Sequence, residues 1–430
     1  MLESIDYAFL QFHNFCLVYN KHIMMQTLCE MYKIGKGPSS SHTVGPFRIV
    51  KKYIKYYPDV DKLRVHLYGS LAITGKGHHT DLSIQSAADG KKVEIVWDYT
   101  TKTEHPNTLK IEGFEKDGKP LPPMIAFSIG GGSILIKNDP YPEKLDVYPH
   151  TKFAQVSKWC TTHKKNLVEY VKHFDKQGYK HLTDVWKAMK KTVIDGINDT
   201  EPFNGPIKIE KKANIVMKNI KKAKLPKDSM EYVMAYGYAV AEQNVLGKDM
   251  VTSPTLGSAG IIPAVLYYAN VNKKFSESKI IEALAVAGVI GNCYKLNGSV
   301  AGATGGCQAE IGVSCSMAAA AYCYLLGGNL QEIEIAAIIA MEHHLGLTCD
   351  PLLGYVYIPC IERNATIAPR AISAAHQSLI TNGRRNVFSL DDIVDVEKCT
   401  GSDLKDIYRE TSLGGLAKIY EQRFSKNKDN

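Results

Sequence analysis

Three cysteines occupy places where the chain must change direction. Cys307 follows Gly305 and Gly306, Cys349 precedes Asp350-Pro351 in HHLGLTCDP, and Cys360 follows Pro359 in YIPCIERN. Thiols at the ends of elements, 42 and 11 residues apart, are free to converge on one metal. Their spacing matches neither a zinc finger nor a ferredoxin, because the chain has no Cys-x-x-Cys pair. On spacing alone, buried inert thiols compete with a metal centre. Cys315 and Cys323 lie inside an alanine-rich helical stretch and read as core.

Four further segments carry polar chemistry. Lys36 to Pro46, KGPSSSHTVGP, offers Ser39, Ser40, Ser41, His42 and Thr43 between two Gly-Pro pairs. Such a loop presents hydroxyls, backbone N–H groups and an imidazole together, and its Ser or Thr can cap a helix running through Arg48 and Lys52. A serine-rich capping turn with a surface histidine is the plainer alternative. In Tyr68 to Asp81, YGSLAITGKGHHTD, a strand expected to end in Thr-Gly-Lys-Gly leads to His78 and His79 beside Asp81, residue types suited to proton transfer. It lacks the spacing and the Gly-Lys-Ser/Thr ending of a nucleotide-phosphate loop. Ser128 to Ser133, SIGGGS, is a glycine turn allowing close backbone approach. Val251 to Pro263, VTSPTLGSAGIIP, reads either as an anion-binding loop containing Thr255 or as an ordinary interhelical turn.

The rest of the chain must position these segments. At 430 residues it exceeds one ordinary core, so two or three domains are expected. The formal charge of +8 comes from lysines dispersed among acids, with no basic run interleaved with aromatics; nucleic acid is not the expected partner. No apolar run reaches the ~18–20 residues of a membrane span, and Glu3 and Asp6 stand where a signal peptide wants positive charge. A soluble, cytoplasmic protein with reduced thiols is expected. A homodimer stays open.

Leu63 to Leu67 and Lys92 to Tyr99 alternate apolar and polar residues and predict strands. The proline- and charge-rich stretch Lys137 to Pro149 predicts a linker. Beyond it, helical spacing predicts helices over Phe153 to Tyr170, Leu182 to Ile197, Met230 to Asn244, Lys279 to Gly291, Val313 to Leu326 and Gln331 to His344. The expected organisation is an N-terminal extension over 1–24, an α+β domain over 25–140, a linker over 141–152 and an all-α catalytic domain over 153–430, with a frayed tail from Glu421.

Taken in order, GPSSSHTVGP, YGSLAITGKGHHTD, the SIGGG turn, VTSPTLGSAGIIPAV, GGCQAEIG, AMEHHLGLTCDPLLGYVYIPCIERNA and ETSLGGLA resemble the motifs of the iron-sulfur-dependent L-serine dehydratases (L-serine ammonia-lyases), which do not use pyridoxal phosphate. The resemblance implies an N-terminal domain of the allosteric substrate-binding type followed by a helical catalytic domain, acting on a small amino acid. It makes Cys307, Cys349 and Cys360 ligands of a 4Fe-4S cluster with one iron left open, and makes His78 the base. It places His42, Ser39, Ser40, Ser41, Thr43 and Thr255 near substrate or cluster, with Arg363 a weaker candidate for the substrate carboxylate. The implied reaction is β-elimination of water from L-serine, ending in pyruvate and ammonia. L-threonine or L-cysteine as substrate, a pyridoxal-phosphate dehydratase, and a non-catalytic cluster-bearing sensor are the rival readings.

The chain also departs from that family. Where the family's loop reads Pro-Thr-Asn-Gly-Ala-Ala-Gly, this chain has Leu256 for the asparagine and Ser258 for an alanine, and Asn297-Gly298-Ser299 replaces the usual Asn-Ala-Ser. Its last cysteine is Cys399, whereas single-chain members often carry a terminal cysteine that guards the open iron. The expectation is a resting cluster capped by water or another ligand.

Overall fold

The computed structural model describes residues 24–424 except 204, 206, 385 and 386. The expected extension, apart from Met24, and the tail beyond Phe424 lie outside the described residues. The chain divides into two compact units, one formed by Ser39–Lys144 and the other by Met24–Pro38 together with Leu145 onward.

The first unit is built on a five-stranded sheet. Its strand order is Lys92–Asp98, Lys62–Tyr68, Thr108–Phe114, Met124–Gly130 and Ser133–Ile136. Leu63, Val65 and Leu67 are buried while the intervening side chains are half-exposed, the alternation of a strand with one face on a core. Lys62–Tyr68 is parallel to Lys92–Asp98, and parallel neighbours need a crossover, supplied by the helices Gly69–Ile73 and Thr80–Ala88. Ile49, Val50 and Tyr53 of the helix Gly45–Tyr56 join the same core. The strand expected to reach Thr-Gly-Lys-Gly ends instead at Tyr68. Gly69 takes φ +53°, open to a residue without Cβ, and Ser70 N–H donates to the Pro106 carbonyl at 2.8 Å, which turns the chain into a helix.

The second unit is mainly helical. Helix Ile311–Leu325 is apolar on all sides, as a central helix must be, and packs against Glu277–Asn297, Leu330–Glu342 and Cys360–Ile380. The helix expected over Phe153 to Tyr170 is two, Phe153–His163 and Leu167–Phe174. Lys164 enters the left-handed region at φ +53° and Asn166 caps the second helix by accepting from Glu169 N–H. Two short ribbons complete the unit: Met25–Gln26 pairs with Asp146–Tyr148, and Ile34–Lys36 with Asp249–Val251. Asp175 anchors the first of these, accepting from Leu28 N–H at 2.7 Å, Gly178 N–H at 2.8 Å and Tyr148 Oη at 3.1 Å. No helix among the described residues is long and apolar enough to cross a membrane.

Candidate metal centre and histidine pocket

In the helical unit, Cys307 lies in the tight turn Gly306–Ala309, where its N–H donates to the Leu347 carbonyl at 2.9 Å. Gly306 explains the double glycine: its φ is +68°, and a Cβ there would stand 2.9 Å from the Leu347 oxygen. Cys349 N–H donates to Tyr408 O, and Cys349 O accepts from Glu410 N–H, both at 2.8 Å. The C-terminal ETSLGGLA motif is thereby tied to this thiol's backbone. Cys360 opens the helix Cys360–Ile380 directly after Pro359. All three are free thiols and buried.

Cys307 Sγ, Cys349 Sγ and a carboxylate oxygen of Glu310 lie within 4.8 Å of one another. The hydrogen bond from Cys349, helped by the Arg363 charge, lowers the Cys307 thiol against the opposing effect of burial. The same bond and burial push Cys349 well up; burial and the Cys307 charge do so for Cys360. Burial raises Glu310, and it takes Glu410 to about 8 with help from Glu310 and Cys307. Burial and neighbouring negative charge thus oppose ionisation of Cys349, Cys360 and Glu410, while the Cys307 thiol is eased toward thiolate by its bond from Cys349 and by the nearby Arg363 guanidinium. A donor set of this kind fits a metal cluster, whose cationic iron replaces the protons of its ligands. Sulfur ligands select zinc, copper(I) or iron-sulfur centres over magnesium or calcium.

Neighbouring side chains fasten these donors. Asn364 Nδ2 donates to Cys360 O and to Gly257 O, both at 2.8 Å, while its Oδ1 accepts from Gly260 N–H at 2.8 Å. One buried amide therefore joins the Cys360 helix to the Val251–Pro263 loop. Thr255, on that loop, hydrogen-bonds the Glu310 carboxylate and stands 3.2 Å from Ser258 Oγ. Arg363 donates to the Thr348 carbonyl at 2.7 Å and to the Cys307 sulfur, so the guanidinium is already engaged within the cysteine site.

The sheet-bearing unit gathers the histidines. Residues Ser40–Val44 form one π-helical turn ahead of the helix Gly45–Tyr56, and Ser39 Oγ caps it by accepting from His42 N–H at 3.1 Å. His42 Nε2 is 2.9 Å from Thr74 Oγ1 and 3.1 Å from Ser70 Oγ, and Nδ1 is 2.8 Å from Ser41 Oγ. Thr74 Oγ1 donates to Ser70 O, so it accepts from His42 Nε2–H, leaving Nδ1 to accept from Ser41. Thr43 Oγ1 donates to the His78 carbonyl at 2.8 Å and acts as a brace. The rings of His42 and His78 are 4.6 Å apart. Both histidines are buried, and burial, with His78 as the next cause, holds His42 well below its ordinary value; His78 falls to about 4.

Each expected site residue therefore falls in one of two groups. Cys307, Cys349, Cys360 and Thr255 belong to the helical unit; Ser39, Ser40, Ser41, His42, Thr43 and His78 belong to the other. Glu310, Asn364 and Glu410 were not anticipated. The only sequence signal for them is their place within GGCQAEIG, YIPCIERNA and ETSLGGLA.

Comparison with known proteins places both units in one family. Residues 27–96 match the family described as Serine dehydratase beta chain, and residues 91–417 that described as Serine dehydratase alpha chain. L-serine dehydratase 1 of Escherichia coli is 34% identical over 91% of this chain and 99% of its own length. L-serine dehydratase 2 of the same organism is 35% identical over 91% and 98%, and the Streptomyces coelicolor L-serine dehydratase 32% over 92% and 99%. The chain belongs to the iron-sulfur serine dehydratase family, with the beta-chain and alpha-chain regions joined in one polypeptide.

Proposed function

We propose that this chain is an L-serine ammonia-lyase in which Cys307, Cys349 and Cys360 hold a 4Fe-4S cluster and His78 is the base. The convergence of the Cys307 and Cys349 thiols with Glu310, in loops bearing the family's motifs, is the observation that carries the reading. When bound, the cluster supplies Lewis acidity that helps the substrate's hydroxyl depart.

The chain's own residues handle the proton. His78 Nδ1 is 3.1 Å from the Thr74 carbonyl, which can only accept, so Nδ1 carries the hydrogen and Nε2 keeps its lone pair. That Nε2 takes the α-proton of serine, while the hydroxyls of Ser39, Ser40, Ser41 and Thr43, with His42, shape the polar wall around it. Loss of the α-proton and of the β-hydroxyl leaves 2-aminoacrylate, which tautomerises and hydrolyses to pyruvate and ammonia. In this reading the sheet-bearing unit, Ser39–Lys144, is the domain of the allosteric substrate-binding type, and the helical unit, Met24–Pro38 with Leu145 onward, carries the cluster. A reducing, cytoplasmic setting suits three free cluster thiols.

Anaerobic purification with iron, sulfide and pyruvate assays tests the proposal. About four irons and four sulfides per chain are expected, with cluster and activity both lost in Cys307→Ala, Cys349→Ala and Cys360→Ala. A colourless protein activated by pyridoxal phosphate would overturn it. Turnover of L-threonine and L-cysteine beside L-serine fixes the substrate.

A further inference from the structure

Glu310 is placed as a metal ligand is placed. Its carboxylate lies within 4.8 Å of two thiols, and its backbone N–H donates to Cys307 O at 3.2 Å, so thiol and carboxylate issue from one turn. Two separate loops make room for it. A Cβ on Gly257 would stand 3.1 Å from Glu310 Oε1, and one on Gly302 would stand 2.8 Å from Oε2 and 3.4 Å from Cys349 Sγ. Thr255 hydrogen-bonds the same group.

We infer that the Glu310 carboxylate is itself a ligand of the metal centre, occupying in the resting enzyme the coordination position the three thiols leave and yielding it to substrate. The inference rests on the cluster reading above. A carboxylate is a hard donor among soft ones and binds such iron more weakly than thiolate, which suits a ligand that must be exchanged. On release it remains paired with Thr255, and no electron changes hands in the exchange. Glu410 is the other acid in this neighbourhood, with Oε2 3.3 Å from the Gly302 Cβ position. It serves as the control.

The test uses the whole chain, reconstituted anaerobically with iron and sulfide, reduced, and examined without substrate by electron-nuclear double resonance in water carrying the magnetic oxygen isotope. Wild type and Glu410→Gln should show no coupling from bound water, and Glu310→Gln should gain one at unchanged iron content. If Glu310→Gln loads poorly, Glu310→Asp, whose shorter carboxylate draws back from the metal, gives the same comparison. A water coupling already present in wild type, or none in either Glu310 variant, overturns the inference while leaving the cluster reading intact. Wild type without a four-iron cluster overturns both, and the iron and sulfide counts separate that case. Weaker serine binding in Glu310→Gln together with bound water in wild type would make Glu310 a receptor for the substrate ammonium instead.

Discussion

His78 Nδ1 faces the Thr74 carbonyl at 3.1 Å, and this contact leaves its Nε2 unprotonated and ready to act as a base. Burial is the main reason the imidazole resists a second proton, with a smaller contribution from His79, and its value falls to about 4. The acid limb of kcat/KM for pyruvate formation should therefore lie near pH 4 rather than at the ordinary histidine value of about 6.5. His78→Gln should lower kcat by ~10²- to 10⁴-fold. Because the folded value is depressed, the unfolded chain takes up a proton as pH drops below about 6.5, and folding weakens from there down to about 4. An acid limb at the ordinary value together with full activity in His78→Gln would remove His78 from the mechanism.

Arg363 holds the cysteine site from within, donating at once to the Thr348 carbonyl and the Cys307 sulfur. Groups behind metal ligands commonly set affinity by ~10- to 100-fold. Arg363→Gln should lose iron faster by that order when the anaerobic protein is challenged with a chelator. Arg363→Lys should recover little, because an ammonium cannot reproduce the two directed contacts of a planar guanidinium. Unchanged iron retention in both variants, with only KM for serine raised, would return Arg363 to the substrate carboxylate.

Much of this architecture can be read from residue patterns. The alternation of Leu63, Val65 and Leu67 predicts its strand, and the alanine-rich stretch around Cys315 and Cys323 predicts the central helix that the structure places at Ile311–Leu325. Local conformation defeats the reading at Lys164 and Gly69, where single left-handed residues break a helix and end a strand. Periodicity does not encode such φ values. The candidate site divides in the same way. Cys307, Cys349 and Cys360 stand out through their motifs, yet Glu310 emerges only once Gly257 and Gly302, 45 residues apart, are seen to leave space for one carboxylate. Asn364 likewise looks like an ordinary helical asparagine until its three partners are known.

Those three partners make Asn364 the amide whose loss should be felt most. It is almost wholly buried, and it satisfies Cys360 O, Gly257 O and Gly260 N–H together. Leaving a buried polar group without a partner costs about 1–3 kcal/mol. Asn364→Ala should lower unfolding free energy by roughly 2–4 kcal/mol in anaerobic urea titrations and reduce the iron retained. Asn364→Asp should also destabilise the protein, since it removes the donor shared by the two carbonyls. A variant as stable as wild type and fully loaded would show that the loop and the Cys360 helix hold together without this amide.

Glu397 sets a different pH dependence, one that runs from about 4.5 up to about 8. Its side chain is fully buried against the loop before Cys307: Oε2 accepts from Ser299 N–H at 2.9 Å, and Oε1 has no partner. Burial is the dominant cause that takes its carboxyl to about 8. The folded state therefore keeps a proton that the unfolded chain has lost above its ordinary value near 4.5. That stability is complete below the unfolded value and is lost as pH rises through the folded one, at up to about 1.4 kcal/mol per pH unit. Glu397→Gln keeps an oxygen for Ser299 and has nothing to ionise, so this component of the pH dependence should vanish. Urea titrations at pH 5, 7 and 8 should find the variant's advantage over wild type growing with pH; parallel profiles would mean that Glu397 is already charged in the folded chain.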